Sequence, residues 1–163
     1  MRLELTKRAD YAIRAVVALA TAAPDERLSV RRIAAEQGIP ARFLPQAMGD
    51  LVAAGIVAGV AGRTGGYRLA RPATAISLLE VIEAVEGDSR RETCVLRGGP
   101  CSVNGVCTVH RVFAATQEGM LRQLSSASIA GLALDRGTEP ATDVARLAER
   151  RPDGLDAAAR PAG

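Results

Sequence analysis

All three cysteines of this chain, Cys94, Cys101 and Cys107, and its only histidine, His110, fall inside one stretch, CVLRGGPCSVNGVCTVH, at residues 94–110. The spacing is Cys-x6-Cys-x5-Cys-x2-His in a segment rich in glycine and proline. Thiolates and an imidazole at such short separations form a ligand set for a soft or borderline metal centre. Two chemistries fit. A Cys3His set holds zinc tetrahedrally, and the spacing is near that of small RNA-binding fingers, which stack bases on aromatic rings. The one nearby ring, Phe113, belongs instead to an apolar helical stripe. The other chemistry is an iron–sulfur cluster held by thiolates and one non-thiolate ligand, for which a glycine-rich loop can turn backbone N–H groups toward the sulfides. The residues alone leave zinc and a cluster open. An odd cysteine count does not suit a secreted disulfide framework, and clustered thiols in a reducing compartment are more often ligands or catalysts. A Cys–His nucleophile–base pair would need a substrate pocket and an oxyanion site. Nothing in the sequence suggests either, so neither an enzyme nor a small-molecule substrate is expected.

The elements that must position this segment follow from periodicity. The chain has 163 residues, 48% of them hydrophobic but only 2% aromatic, so helices rich in Ala, Val and Leu must supply the packing. Residues 7–22 repeat apolar positions at Ile13, Val16, Val17 and Ala20, a helical spacing. Residues 28–57 read as two helices around a tight turn. Ser29 caps the first, whose Ile33 and Ala34 face inward, and Gly38 closes it. The second is expected to start near Pro40 or Ala41 and to run to about Ala54, with Phe43, Leu44, Ala47, Leu51 and Val52 as its buried stripe and Gly55 as its stop. Strands at Ile56–Ala61 and Gly66–Ala70 flank a glycine-rich turn. A helix at Ser77–Glu86 closes the head. After the cysteine loop, Val109, Val112, Phe113, Thr116, Met120, Leu121 and Leu124 again repeat at three and four. That helix has no obvious partner in the head, so the same face of a second chain is expected to cover it. Beyond about Leu134 the composition turns to Ala, Arg, Pro, Gly and Asp, as in a mobile tail with at most a short helix near 142–150.

The expected fold class is mainly α (α+β): a winged helix–turn–helix head with a β-hairpin wing, a cysteine-rich cluster loop and a long dimerisation helix. The expected divisions are 1–90 for the head, 91–108 for the loop, 109–134 for the dimerisation helix region and 135–163 for the tail. Charge supports a nucleic-acid face. Net charge is only +3, yet residues 27–71 hold seven arginines against Glu36 and Asp50, a local +5, whereas eight bases cancel eight acids from Glu92 onward. The second helix of such a head enters the major groove by its N-terminal end, here Ala41, Arg42, Pro45, Gln46 and Gly49. Arg42 suits guanine and Gln46 adenine. Arg31 and Arg32 lie where phosphates run, Arg63 at the hairpin tip suits a minor groove, and Tyr67 or Arg68 a phosphate. No stretch approaches the ~20 apolar residues of a membrane span, and the opening MRLELTKRAD has no apolar signal core. A cytoplasmic protein without membrane contact is expected.

With these pieces in place, the chain resembles the IscR/NsrR-type family of winged-helix iron–sulfur transcriptional regulators. The match covers roughly residues 1–134. It rests on LTKRADYAIRAVVALA, SVRRIAAEQGIPARFLPQAMGDLVAAGIV, the wing block GRTGGYRLARPATAISLLEVIEAVEG and the three-cysteine loop. The resemblance implies a homodimeric DNA-binding regulator, expected to repress, whose cluster state sets its affinity for a two-fold symmetric operator and so reports redox state, nitric oxide or iron–sulfur status. It favours a cluster over zinc and over a cluster-free thiol-redox regulator. It makes Cys94, Cys101 and Cys107 the thiolate ligands. His110 falls where some members use a histidine and Asp10 where others use an aspartate of the partner subunit; His110 is preferred because it needs no dimer geometry to reach. The long first cysteine gap leaves [2Fe-2S] and [4Fe-4S] both open. Ala61 stands where many members carry a wing arginine, and Arg63 is expected to substitute.

Overall fold

Helix α1, Lys7–Thr21, starts where the Thr6 hydroxyl accepts the Ala9 N–H at 3.2 Å, satisfying one of the first-turn donors. The computed structural model containing it describes residues 5–23, 25–60, 62, 65–89 and 108–135. The buried face of α1 is largely alanine, with Ala9, Ala12, Ala15 and Ala18 beside Val16, Val17 and Leu19. Such small side chains let several elements approach one axis. Four helices and the strand Gly66–Leu69 pack against α1, which makes it the centre of the head.

Helix α2, Val30–Gln37, is capped by Ser29, whose hydroxyl accepts the Arg32 N–H at 3.2 Å. It closes at Gly38, whose φ of +61° is the left-handed conformation that costs glycine little. Ser29, Gly38 and the inward pair Ile33 and Ala34 are all as the sequence predicts. Helix α3, Leu44–Ala53, begins later than expected. Residues 40–43 form a turn closed by the Phe43 N–H on the Pro40 carbonyl at 3.0 Å. The reason lies at Pro45. A helix opening at Ala41 would need an N–H at position 45 for the carbonyl of residue 41, and proline has none. The buried stripe of α3 is Leu44, Ala47, Met48 and Leu51, whereas Phe43 and Val52 are 47% and 41% exposed. This corrects two of the five expected core positions.

Strands β1, Val57–Val60, and β2, Gly66–Leu69, pair antiparallel with Val57 opposite Leu69 and Val60 opposite Gly66. The first begins one residue later than expected and the second ends one residue earlier, while Ala61, the expected end of the first, lies outside the described residues. Leu28 bridges to the other edge of β2, exchanging both backbone hydrogen bonds with Tyr67 at 2.9 Å. That close approach requires glycine at 66, because a Cβ there would meet the Leu28 carbonyl oxygen at 3.0 Å. A 3-10 turn at Ala73–Ala75 leads to α4, Leu78–Glu86, whose Ser77 and Glu80 form a reciprocal capping box.

Helix α5, Thr108–Ser126, carries the predicted repeat and packs along α4, with the Gln117 amide donating to the Ser89 carbonyl at 3.2 Å. The stretch 109–134 then proves to be two helices. The chain breaks at Ala127 and Ser128, where the Leu78 N–H reaches the Ala127 carbonyl at 2.8 Å and the Ile129 N–H reaches the Ile76 carbonyl at 2.9 Å. Helix α6, Ile129–Asp135, folds back on α1 with Ile129 fully buried in the same core. Sequence periodicity missed α6. No helix of the described residues is long and apolar enough to cross a membrane.

Candidate DNA-reading face and sulfur site

The α2–turn–α3 unit and the β1–β2 hairpin place most of the expected DNA contacts on exposed positions. Gln46 stands in the first turn of α3 and is exposed. Arg42 lies in the turn just before the helix, rather than within it, and is also exposed. Arg31 on α2 and Arg68 on β2 are exposed and form no ion pair with the described carboxylates, while Tyr67 beside Arg68 is half-buried. Arg63 and Ala61 lie outside the described residues.

Two of the seven arginines are occupied elsewhere. The Arg32 guanidinium spans Glu26 at 2.5 Å and Glu36 at 2.6 Å. Its hydrogen bonds to Glu36 and then Glu26 hold Arg32 still more firmly protonated, and in return they hold the Glu26 carboxyl below its ordinary value. Arg71 donates to Glu80 at 2.7 Å and to the Ala75 carbonyl at 2.8 Å, tying the end of the wing to the start of α4. The Ser77 backbone N–H first, then Arg71, lower the Glu80 carboxyl from its ordinary 4.5. On α3, Arg8 of α1 donates to the Asp50 carboxylate from Nε at 3.1 Å and from a terminal nitrogen, covering the one acid of the recognition helix. Local charge on this face is therefore set by long-range pairs that a count along the chain does not see.

A second group sits where α1 meets the α2–α3 turn. Tyr11 and Phe43 stack, with centroids 6.2 Å apart and planes at 24°, and the Arg42 guanidinium lies 4.7 Å from the Phe43 centroid. Arg14 is 5.5 Å from the Tyr11 centroid, donates to the Gln37 carbonyl at the end of α2 at 2.7 Å, and pairs with Asp10 at 2.8 Å. Asp10, the alternative cluster ligand, thus spends one carboxylate oxygen on an arginine one turn along its own helix. Sequence reading missed Tyr11, Arg14 and exposed Phe43. The i,i+4 spacing of Asp10 and Arg14 is the one local signal that was available.

At the sulfur site, His110 is exposed in the first turn of α5. Cys94, Cys101 and Cys107 lie outside the described residues, as do the rest of the 90–107 segment and everything after Asp135.

A helix–turn–helix whose second helix presents polar residues outward, followed by a two-stranded wing, defines a winged-helix DNA-binding protein. Residues 5–135 match the Rrf2 family, described as an iron-dependent transcriptional regulator. A protein of Mycobacterium tuberculosis named as an HTH-type transcriptional regulator is 33% identical over 152 residues, covering 90% of this chain and 93% of the relative. Among solved structures, CymR of B. subtilis, titled the global cysteine regulator, superposes with a TM-score of 0.70 at 21% identity over 82% of this chain and 98% of its own. IscR of T. potens gives 0.67 at 24% identity over 88% and 96%. The chain belongs to the Rrf2 family of winged-helix regulators, and it acts in transcription rather than as an enzyme.

Proposed function

We propose that this regulator binds a two-fold symmetric operator as a homodimer and that an iron–sulfur cluster on Cys94, Cys101, Cys107 and His110 sets its DNA affinity. The observation that carries the reading is the position of His110 in the first turn of α5, three residues after the last thiol of a Cys3His set, on a helix that packs along α4 yet keeps Val109 and Val112 exposed. The donor set fits such a group, since three soft thiolates and one imidazole satisfy a cluster without a fifth protein ligand. The description of the family as iron-dependent supports the same choice. Asp10 is the weaker fourth ligand because its carboxylate is already paired with Arg14.

Bound there, a cluster supplies iron–sulfide bonds sensitive to oxidants, nitric oxide and iron supply. The protein's own parts do the rest. His110 ties the loop to the start of α5. The Ser77–Ser128 bridge ties the end of α5 to the head. Fixing the loop therefore fixes how α5, and with it each head, is held. Two heads on one duplex must present α3 to major grooves about 34 Å apart. Releasing the loop shifts the population away from that spacing. Arg31 and Arg68 hold phosphates, Tyr67 and Arg63 extend the wing contact, and Arg42 and Gln46 read bases.

Anaerobic preparation with iron and acid-labile sulfide analysis tests this. Coloured protein holding both, with an operator affinity that changes on cluster loss, is expected. Zinc without sulfide would replace the cluster with a zinc site. Metal-free protein whose DNA binding follows thiol oxidation would make it a cluster-free redox regulator. Operator binding unchanged when all three cysteines become serine would remove the sensing role altogether.

A further inference from the structure

Phe43 is the least expected feature of the reading face. A large ring in a turn at the mouth of the recognition helix is ordinarily buried, yet it is 47% exposed while Leu44 beside it is fully buried. It is not idle. One neighbour is Tyr11 of α1, stacked at 6.2 Å, and the other is the Arg42 guanidinium at 4.7 Å. Tyr11 is itself held from α1, with the Arg14 guanidinium over its ring at 5.5 Å and Arg14 anchored on the Gln37 carbonyl. A chain of contacts thus runs from the rigid centre of the head to Arg42.

From this arrangement we infer that Phe43, backed by Tyr11, is a positioning residue for base reading. It holds the Arg42 guanidinium over its ring and so limits the directions in which the guanidinium N–H donors can address a guanine. Stacking engages the plane of a guanidinium, while its N–H donors lie in that plane and stay available for a bidentate contact. An arginine in a turn otherwise loses much rotamer freedom when it docks, and a pre-set plane reduces that loss. Arg42 needs such support more than most, because it precedes α3 and has no helical backbone to direct it. The inference rests on the assignment of Arg42 to a base edge and adds the residue that makes the contact selective.

The test begins with selection of preferred operators from randomised duplexes by the full-length protein, followed by affinities on single-base variants. Arg42→Ala is expected to abolish discrimination at one base pair of each half-site. Phe43→Leu, apolar but without a ring face, is expected to lower discrimination at that same pair about two- to fivefold, the scale of an exposed cation–π contact. Phe43→Tyr is expected to keep it, and preferences elsewhere, including at the Gln46 contact, are expected to persist in all three. A Phe43→Leu variant that reads the Arg42 pair as the parent does, or that loses affinity evenly for every sequence, overturns the positioning role while leaving Arg42 as the reader. An Arg42→Ala variant with every preference intact overturns both. Circular dichroism on each variant shows whether the head remains folded, and an exposed ring is a position where leucine should be tolerated.

Discussion

At the scale of single residues, what separates the arginines is not their number but their company. Arg32 is saturated by Glu26 and Glu36, and Arg71 by Glu80, whereas Arg31 and Arg68 are exposed without a carboxylate partner among the described residues. A phosphate contact releases counterions, so an arginine that makes one contributes about one unit to the salt dependence of binding. Arg31→Ala should therefore flatten the plot of log affinity against log salt by about one unit. Arg32→Gln should leave that slope close to the parent's. A titration of operator affinity across salt concentrations distinguishes them, and equal losses of slope would mean that Arg32 leaves its carboxylates when DNA arrives.

At the scale of elements, α4 is the piece whose start is most fully specified. The Ser77 hydroxyl accepts the Glu80 N–H at 3.2 Å, the Glu80 carboxylate accepts the Ser77 N–H at 2.8 Å, and Arg71 closes the group from the wing. Ser77→Ala should cost about 1 kcal/mol of stability in denaturant unfolding. The pH dependence has a definite sign. Glu80 is lowered when folded, so its contribution is full above the ordinary 4.5 and is lost as pH falls through the depressed value. Thermal melts should show a gap between the parent and Glu80→Gln at neutral pH that narrows with acidification; a gap that widens in acid would contradict the role given to this carboxylate.

The same scale shows why some of the molecule could be read directly from its sequence. Ser29 and Gly38 were legible because a cap and a left-handed stop act within one turn of chain. The helix–turn–helix, the hairpin and the repeat of α5 were legible for the same reason. The face of α3 was ambiguous, because positions 43, 47 and 51 are spaced as well as 44, 48 and 51. Only the packing of α1 against α3 chooses between them, and it buries Leu44 rather than Phe43. Helix α6 was invisible because nothing local separates it from α5. The break is fixed by backbone bonds to residues 76–78, some fifty positions earlier. Of the proposed sulfur site the sequence shows residue types and spacing, and the pairing of Asp10 with Arg14, hinted at by their i,i+4 spacing, is seen in three dimensions.

At the scale of the whole molecule, α5 is attached to the head through α4 and the Ser77–Ser128 bridge, yet keeps Val112 61% exposed. If that stripe is where two copies meet, Val112→Asp should leave a folded monomer by sedimentation. Its operator affinity should fall at least about a hundredfold through loss of bivalent engagement. A dimer that survives the substitution would place the subunit interface elsewhere. The scarcity of aromatic residues has a practical outcome. The chain has no tryptophan and two tyrosines, Tyr11 beneath the turn that leads into α3 and Tyr67 on the wing. Its tyrosine emission therefore arises from α1 beside the turn that leads into α3 and from the wing, so a change in that emission on adding operator DNA is the expected outcome if those parts engage it.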